Sequence, residues 1–266
     1  YHTATYVATH GTVLVFGGFA QGRPLCQLEC LDVVAWRWSV ALIAGIEPQP
    51  RFGHSATLVG QDIIIAGGCT GGHNHKGMGS DGHELDDLWI LALGEHPGEL
   101  MHWTQIIVRD PIPAHAMQRC HSSFVAGHKI IFLFGGPSHA LSNAVTSFDV
   151  RTKKFGPEPT VLGHAPRPRH GAVVAKLDDS TAIVFGGWSW LEMGDVHFVR
   201  LVGCNDVETG PNGSRTRGVN RVEGFERLML PFCQVYKGWI IRCTLGTFGL
   251  AMIACLAAWC IKISSW

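Results

Sequence analysis

HSATLVGQDIIIAGG, residues 54–68, contains the unit from which the fold is built. Two apolar runs, 56–59 and 63–66, flank Gly60, Gln61 and Asp62, and the pair Gly67 and Gly68 closes the second run. Short apolar runs on either side of turn-forming residues read as two paired strands. The pattern returns as HTATYVATHGTVLVFGG (2–18), HSSFVAGHKIIFLFGG (121–136) and HGAVVAKLDDSTAIVFGG (170–187). Each copy has a His, an apolar strand, a polar turn, a second apolar strand and a double glycine. The second glycines, Gly18, Gly68, Gly136 and Gly187, lie 50, 68 and 51 residues apart. A period of that length marks an array of stacked supersecondary units.

Each unit continues alike. A third apolar stretch follows the loop after the glycines: CLDVVAWRW (30–38), DDLWILAL (86–93), AVTSFDV (144–150) and DVHFVRL (195–201). In three units an aromatic residue, Trp38, Trp103 or Phe155, then opens a fourth strand. Four short antiparallel strands in about 50 residues make one propeller blade. Unit four lacks an evident outer strand after Leu201, and unit two carries the insertion CTGGHNHKGMGSDGHE at 69–84.

These residues resemble the kelch repeat over roughly residues 1–201, in units of approximately 1–49, 50–112, 113–165 and 166–201. The glycine pairs 17/18, 67/68, 135/136 and 186/187, the downstream aromatics and the lead-ins PRFGH and PRPRH carry the resemblance. It implies an all-β, kelch-type β-propeller, seen here as about four blades of a five- to seven-bladed ring. Such a blade cannot bury both faces alone and must stack. Gly17, Gly18, Gly67, Gly68, Gly135, Gly136, Gly186 and Gly187 are expected at tight inner-strand ends, where positive φ is needed. Trp38, Trp103 and Phe155 are expected as apolar plates between blades. The resemblance implies protein partners, with an adaptor, scaffold or substrate-recognition role, and no cofactor.

Composition narrows the alternatives. The 266 residues carry 21 basic and 21 acidic side chains, so no overall field draws nucleic acid. The nine Cys are odd in number and scattered, which fits reduced thiols and a cytoplasmic setting. A metal-dependent enzyme or specifier on the same fold is the alternative reading. Copper-radical propellers need a pair of Tyr ligands, and the repeats offer only Tyr1 and Tyr6. Kelch specifier proteins use Glu-x3-Asp-x3-His for iron, whereas Glu192, Asp195 and His197 have a different spacing.

Two sets of residues are candidates for partner contact. Arg51, Arg119, Arg167 and Arg169 precede the inner strands, where a ring of guanidinium groups would suit carboxylates or phosphates. His73, His75 and His83 sit in the glycine-rich insertion, which is expected to work as a rim loop rather than as a metal site. The loops 19–25, 69–84 and 137–143 form the expected binding face. The repeated His2, His54, His121 and His170 are expected to occupy one equivalent structural position, bonded to backbone at the start of each inner strand.

The tail differs from the repeats. All 15 His lie at or before His197, and residues 202–266 hold seven basic residues against four acidic. Residues 202–243 read as a linker and a basic stretch. Residues 244–261, TLGTFGLAMIACLAAWCI, are 18 uncharged residues, the lower limit for a helix across a bilayer. Insertion would make the chain tail-anchored, with the propeller facing the cytosol.

Overall fold

The computed structural model describes residues 1–71, 83–137, 139–157, 160–162, 165–202 and 221–228, with the backbone alone for 160–162, 202 and 221–228. The segment 244–261, His73 and His75 lie outside the described residues. No helix of the described residues is long and apolar enough to cross a membrane.

Four antiparallel sheets follow one another along the chain as propeller blades. Blade one is Thr3–Val7, Thr12–Phe16, Leu28–Asp32 and Arg37–Val40, hydrogen-bonded in that order. Blade two repeats it with Ser55–Val59, Asp62–Ala66, Leu88–Ala92 and Met101–Ile106. Blade three uses Ser122–Ala126, Lys129–Leu133, Val145–Asp149 and Lys154–Phe155. Blade four uses Val173–Lys176, Thr181–Phe185, Val196–Val202 and Arg221–Leu228.

The fourth strand of blade four corrects the sequence expectation that unit four ends without an outer strand. Arg221–Leu228 pairs antiparallel with Val196–Val202 and sets Phe225 opposite Val199. A polar stretch between the two strands hides the pairing in the composition. The linkers leaving blades one and three also add a strand to the blade that follows. Ile43–Gly45 runs parallel to Met101–Trp103, and Thr160–Leu162 runs parallel to Arg221–Glu223.

The apolar run of the opening hairpin now has a physical reason. Ile63 and Ile65 face blade one, in a cluster with Leu14, Phe16, Leu28, Leu91 and Trp103. Ile64 and Ala66 face blade three, in a cluster with Leu88, Met117, Ile130, Phe132 and Phe148. A strand covered on both faces needs apolar residues at every position rather than at alternate ones. Blades three and four meet the same way, through Phe124, Leu133 and Phe134 against Ala182, Val184 and Val199.

The aromatic plates divide. Trp103 is 2% exposed, with its ring centroid 5.1 Å from that of Phe16 in the preceding blade. Phe155 is half-buried, 5.1 Å from Phe148. Trp38, expected in the core, is 56% exposed. The plate of each outer strand faces the preceding blade, and no described blade precedes blade one.

Hydrogen-bond register also revises the alignment in unit three. Ser55 pairs with Ala66 and Ser122 pairs with Leu133, which places Phe134 where the first glycine stands in the other blades. Its φ of 63° matches 63° at Gly17 and 53° at Gly67, so Gly135, not Gly136, is the counterpart of Gly68. The glycine requirement is strict at Gly68, where a Cβ would lie 2.8 Å from both His54 N and Phe52 O.

Candidate interaction surface

The blades are joined at the starts of their inner strands by one repeated set of bonds. Gly53 N–H donates to Tyr1 O at 3.0 Å, Cys120 N–H to Gly53 O at 2.6 Å, and Gly171 N–H to Cys120 O at 2.8 Å. A second set fastens each lead-in to the glycine corner of the blade before it. Gly18 N–H donates to Arg51 O, Gly68 N–H to Met117 O and Gly135 N–H to Arg169 O, at 2.9, 3.3 and 2.9 Å. Arg51, Met117 and Arg169 are therefore structural equivalents.

Two of the candidate arginines are consumed by this frame. Arg51 is fully buried and binds Asp87 through two bonds, Nη1 to Oδ1 at 2.6 Å and Nη2 to Oδ2 at 2.8 Å. Its Nη1 also donates to Gly67 O at 3.1 Å. Arg169 repeats this with Asp195 at 2.6 and 2.9 Å and with Gly186 O at 2.9 Å. Burial alone would raise the Asp195 carboxyl, but the bonds from Arg169 and His197 hold it well below the usual carboxylate range. Asp87 is lowered by the same balance of burial against Arg51.

This arrangement corrects the expectation of a guanidinium ring open to a partner. Of the four arginines, Arg167 is exposed, and Arg119 is half-buried with its Nε 3.0 Å from Glu84. His83 is exposed in the two-residue strand His83–Glu84. Sequence reading missed the aspartates, although a signal exists. The two units with a Pro-Arg lead-in, at 50–51 and 168–169, are the two with Asp immediately before the third strand. Gln27 and Ala144 stand there in the others, as the bonds Gly17 N–H to Gln27 O and Phe134 N–H to Ala144 O establish.

The repeated histidines join blades through side chains. His54 Nε2 lies 2.8 Å from Thr3 Oγ1 of the preceding blade, and His121 Nε2 lies 2.7 Å from Ser55 Oγ. His121 Nδ1 is 2.6 Å from Gln118 O, the backbone contact expected from the sequence. His170 leaves the series. It bridges Trp188 as Phe52 bridges Cys69, so Ala172 occupies the His position of blade four. There Ser122 Oγ donates to Ala172 O at 2.6 Å, closing the joint without an imidazole.

Burial pushes His54 down to about 3, helped by the Arg51 charge, and His121 down to about 4 against the opposing pull of Gln118 O. Both rings are neutral in the folded protein, whereas in the unfolded chain they titrate near 6.5. Below pH 6.5 the unfolded state takes up protons that the folded state refuses. Their contribution is therefore complete above about pH 6.5 and is lost as pH falls towards 4. Urea unfolding at pH 7.5 and pH 5.0 should differ by about 2 kcal/mol for each histidine. His121→Asn should remove about one histidine's share of that slope; a stability independent of pH over this range would contradict the assignment.

At the same end as the lead-ins lie the loops that follow the glycine corners. In blade four, Trp190 and Leu191 are each 69% exposed. Their loop is fixed by bonds from Ser189 N–H to Leu191 O and from Met193 N–H to Gly187 O, both 2.9 Å. Trp190 has a φ of 60°, uncommon for a bulky residue. Its ring lies 5.7 Å from that of Trp188, which in turn lies 5.3 Å from His170. Among the described residues no group of three or more His, Cys, Asp or Glu side chains is placed to hold a metal ion.

Four-stranded blades joined corner to corner, each with paired glycines and an outer aromatic position, define a kelch-type propeller. The model of the KLHDC2/KLHL20/DRC7 Kelch-repeats domain matches residues 1–187, and the chain belongs to that kelch-repeat family. Among similar proteins, human host cell factor 2 is 25% identical over 193 residues, covering 69% of this chain and 24% of that protein. Acyl-CoA-binding domain-containing protein 4 of Arabidopsis thaliana is 28% identical over 183 residues, covering 68% and 25%. Human host cell factor 1 is 29% identical over 206 residues, covering 72% and 10%. The chain thus spans a quarter or less of the length of these relatives.

Proposed function

We propose that the chain is a protein–protein interaction module, acting as an adaptor, scaffold or substrate-recognition propeller, with proteins rather than nucleic acid as partners. The observation that carries this reading is the contrast at the lead-in end. The buried polar groups there join the blades, while Trp190 and Leu191 stand in solvent on a loop whose backbone is fixed. Trp is enriched among residues that dominate binding energy, and a pre-ordered loop loses little entropy on association. Backbone held in an uncommon conformation at an exposed site is a feature of ligand clamps. Exposed Arg167, three residues before the His170–Trp188 bridge, adds a bidentate donor for acidic groups.

The loop 19–25 and the described parts of 69–84 and 137–143 extend this face around the propeller. The free thiols of Cys26, Cys30, Cys69 and Cys120 support a cytoplasmic, reducing location. The test is affinity capture from a cell extract with quantitative mass spectrometry, comparing the unaltered chain with Trp190→Ala/Leu191→Ala and with Arg167→Ala. Proteins retained by the unaltered chain should be lost with the first variant and weakened with the second, with Tm unchanged. Identical capture by all three would refute the proposed face.

A further inference from the structure

Blade two has a blade on either side, yet part of its outer rim is bare. Its sheet has five strands, because Ile43–Gly45 is added outside Met101–Ile106. The sheet of blade three has four, and its outermost strand is only the two residues Lys154–Phe155. The wider sheet therefore projects beyond the narrower one.

Register shows which side chains are left there. Ile43, Met101 and Trp103 pack in the joint with blade one. Neighbours along an extended chain point to opposite faces, so Leu42, Leu100 and His102 turn the other way, to the blade-three side. Met101 N–H donates to Leu42 O at 2.8 Å, which sets Leu42 beside Leu100. Each of these leucines is 61% exposed, and Ile46, just past the added strand, is 80% exposed. Both neighbouring blades are in place, so the exposure follows from the unequal width of the sheets.

One sign of charge frames this strip. Glu95 and Glu99 lie in the turn that leads to Leu100, and Glu47 follows Ile46; all three are exposed. Glu99 accepts from His96 N–H at 3.2 Å, a backbone bond that shapes the turn and leaves the charge uncancelled. Among the described residues none of the three carboxylates is in an ion pair. Lys154, on the outer strand of blade three, is held by Asp110 at 3.1 Å.

We propose that this strip is a second interaction surface, taking a segment of a partner protein that has an apolar centre flanked by Lys or Arg. Exposed apolar area rimmed by polar groups marks an interaction site. Leu42, Leu100 and Ile46 supply the area, and the three glutamates select the charge of the partner. Opposite charge across a contact speeds encounter and fixes register, whereas like charge rejects the wrong partner. The surface is separate from the Trp190 loop, which belongs to blade four.

The experiment selects a random 12-residue peptide library, displayed on phage, against the immobilised full chain and against Leu42→Ser/Leu100→Ser. Both leucines are exposed, so this variant keeps its fold, which its unchanged Tm verifies. Peptides retained by the unaltered chain and lost with the variant should carry Lys or Arg on either side of apolar residues. For one such peptide made synthetically, Glu95→Lys/Glu99→Lys should raise the dissociation constant by about 10-fold or more at low salt, and less at high salt. Three results would each overturn the proposal: no peptide that depends on the two leucines, dependent peptides without enrichment in Lys and Arg, or an affinity indifferent to Glu95→Lys/Glu99→Lys. Light scattering covers the remaining occupant. A mass of twice 28.9 kDa that falls to 28.9 kDa with Leu42→Ser/Leu100→Ser would give the strip to a second copy of the chain and also overturn it.

Discussion

Trp103→Ala is expected to lower the unfolding free energy by about 3–5 kcal/mol. The indole is 2% exposed, lies in the outer strand of blade two and abuts Phe16 of blade one at 5.1 Å between ring centroids. Its removal leaves a cavity in the joint between two sheets, with the Phe16 ring packed on one side only. For a domain of this size the loss corresponds to a fall in Tm of roughly 6–20 °C. Trp103→Phe is the informative partner. Among the described residues the buried indole Nε1 has no acceptor, so the nitrogen contributes nothing there that a phenyl ring would forfeit. Phe155 fills the outer-strand position in blade three, and Trp103→Phe is expected to cost less than about 1.5 kcal/mol. Equal losses for the two variants, measured by chemical denaturation, would show that the ring does not seal the joint.

The second large effect belongs to the buried ion pair. Asp87→Ala leaves a fully buried guanidinium without its counter-charge, and Arg51→Met leaves Asp87 facing the same frame unpaired. Breaking a buried pair from one side typically costs about 3–5 kcal/mol. Thermal unfolding should place both single variants far below the unaltered chain. A shift of less than 2 °C for either would mean that Arg51 is solvated and free for a partner, as its sequence position alone had implied.

How much of this was legible in the sequence depends on which residues repeat. The blades were readable because a strand buried on both faces must be apolar throughout, as in 63–66, and because Gly67 and Gly68 stand where a Cβ would strike backbone. Finer equivalences were not. Aligning on double glycines misplaces unit three by one residue, because Phe134 adopts the left-handed conformation that Gly17 and Gly67 supply elsewhere. Aligning on His170 misplaces the start of unit four by two residues, because Ala172 holds the position of His54. Local identity misleads where the backbone bond, not the side chain, defines the position.

The candidate site was legible only in outline. The lead-in arginines were identified at the right end of the propeller, but whether a guanidinium faces solvent or protein is decided by Asp87 and Asp195, distant in sequence. Trp190 and Leu191 escaped notice because an exposed Trp and a core Trp look alike on the page. Trp38 shows the converse, a core residue by pattern whose covering sheet is not among the described blades.

The central claim, that the four units are copies of one blade joined by one kind of corner, is tested most directly by moving a corner from one blade to another. Blade three already has Met117 in the place of Arg51 and Ala144 in the place of Asp87. Replacing a buried pair from both sides is often neutral, unlike removal of one partner. The measurement is the stability of Arg51→Met/Asp87→Ala beside its two single variants. If the corners are equivalent, the double variant lies within about 2 kcal/mol of the unaltered chain, the remainder being the lost acceptor of the Trp89 indole. A double variant as unstable as the sum of its two singles would contradict the equivalence of the blades.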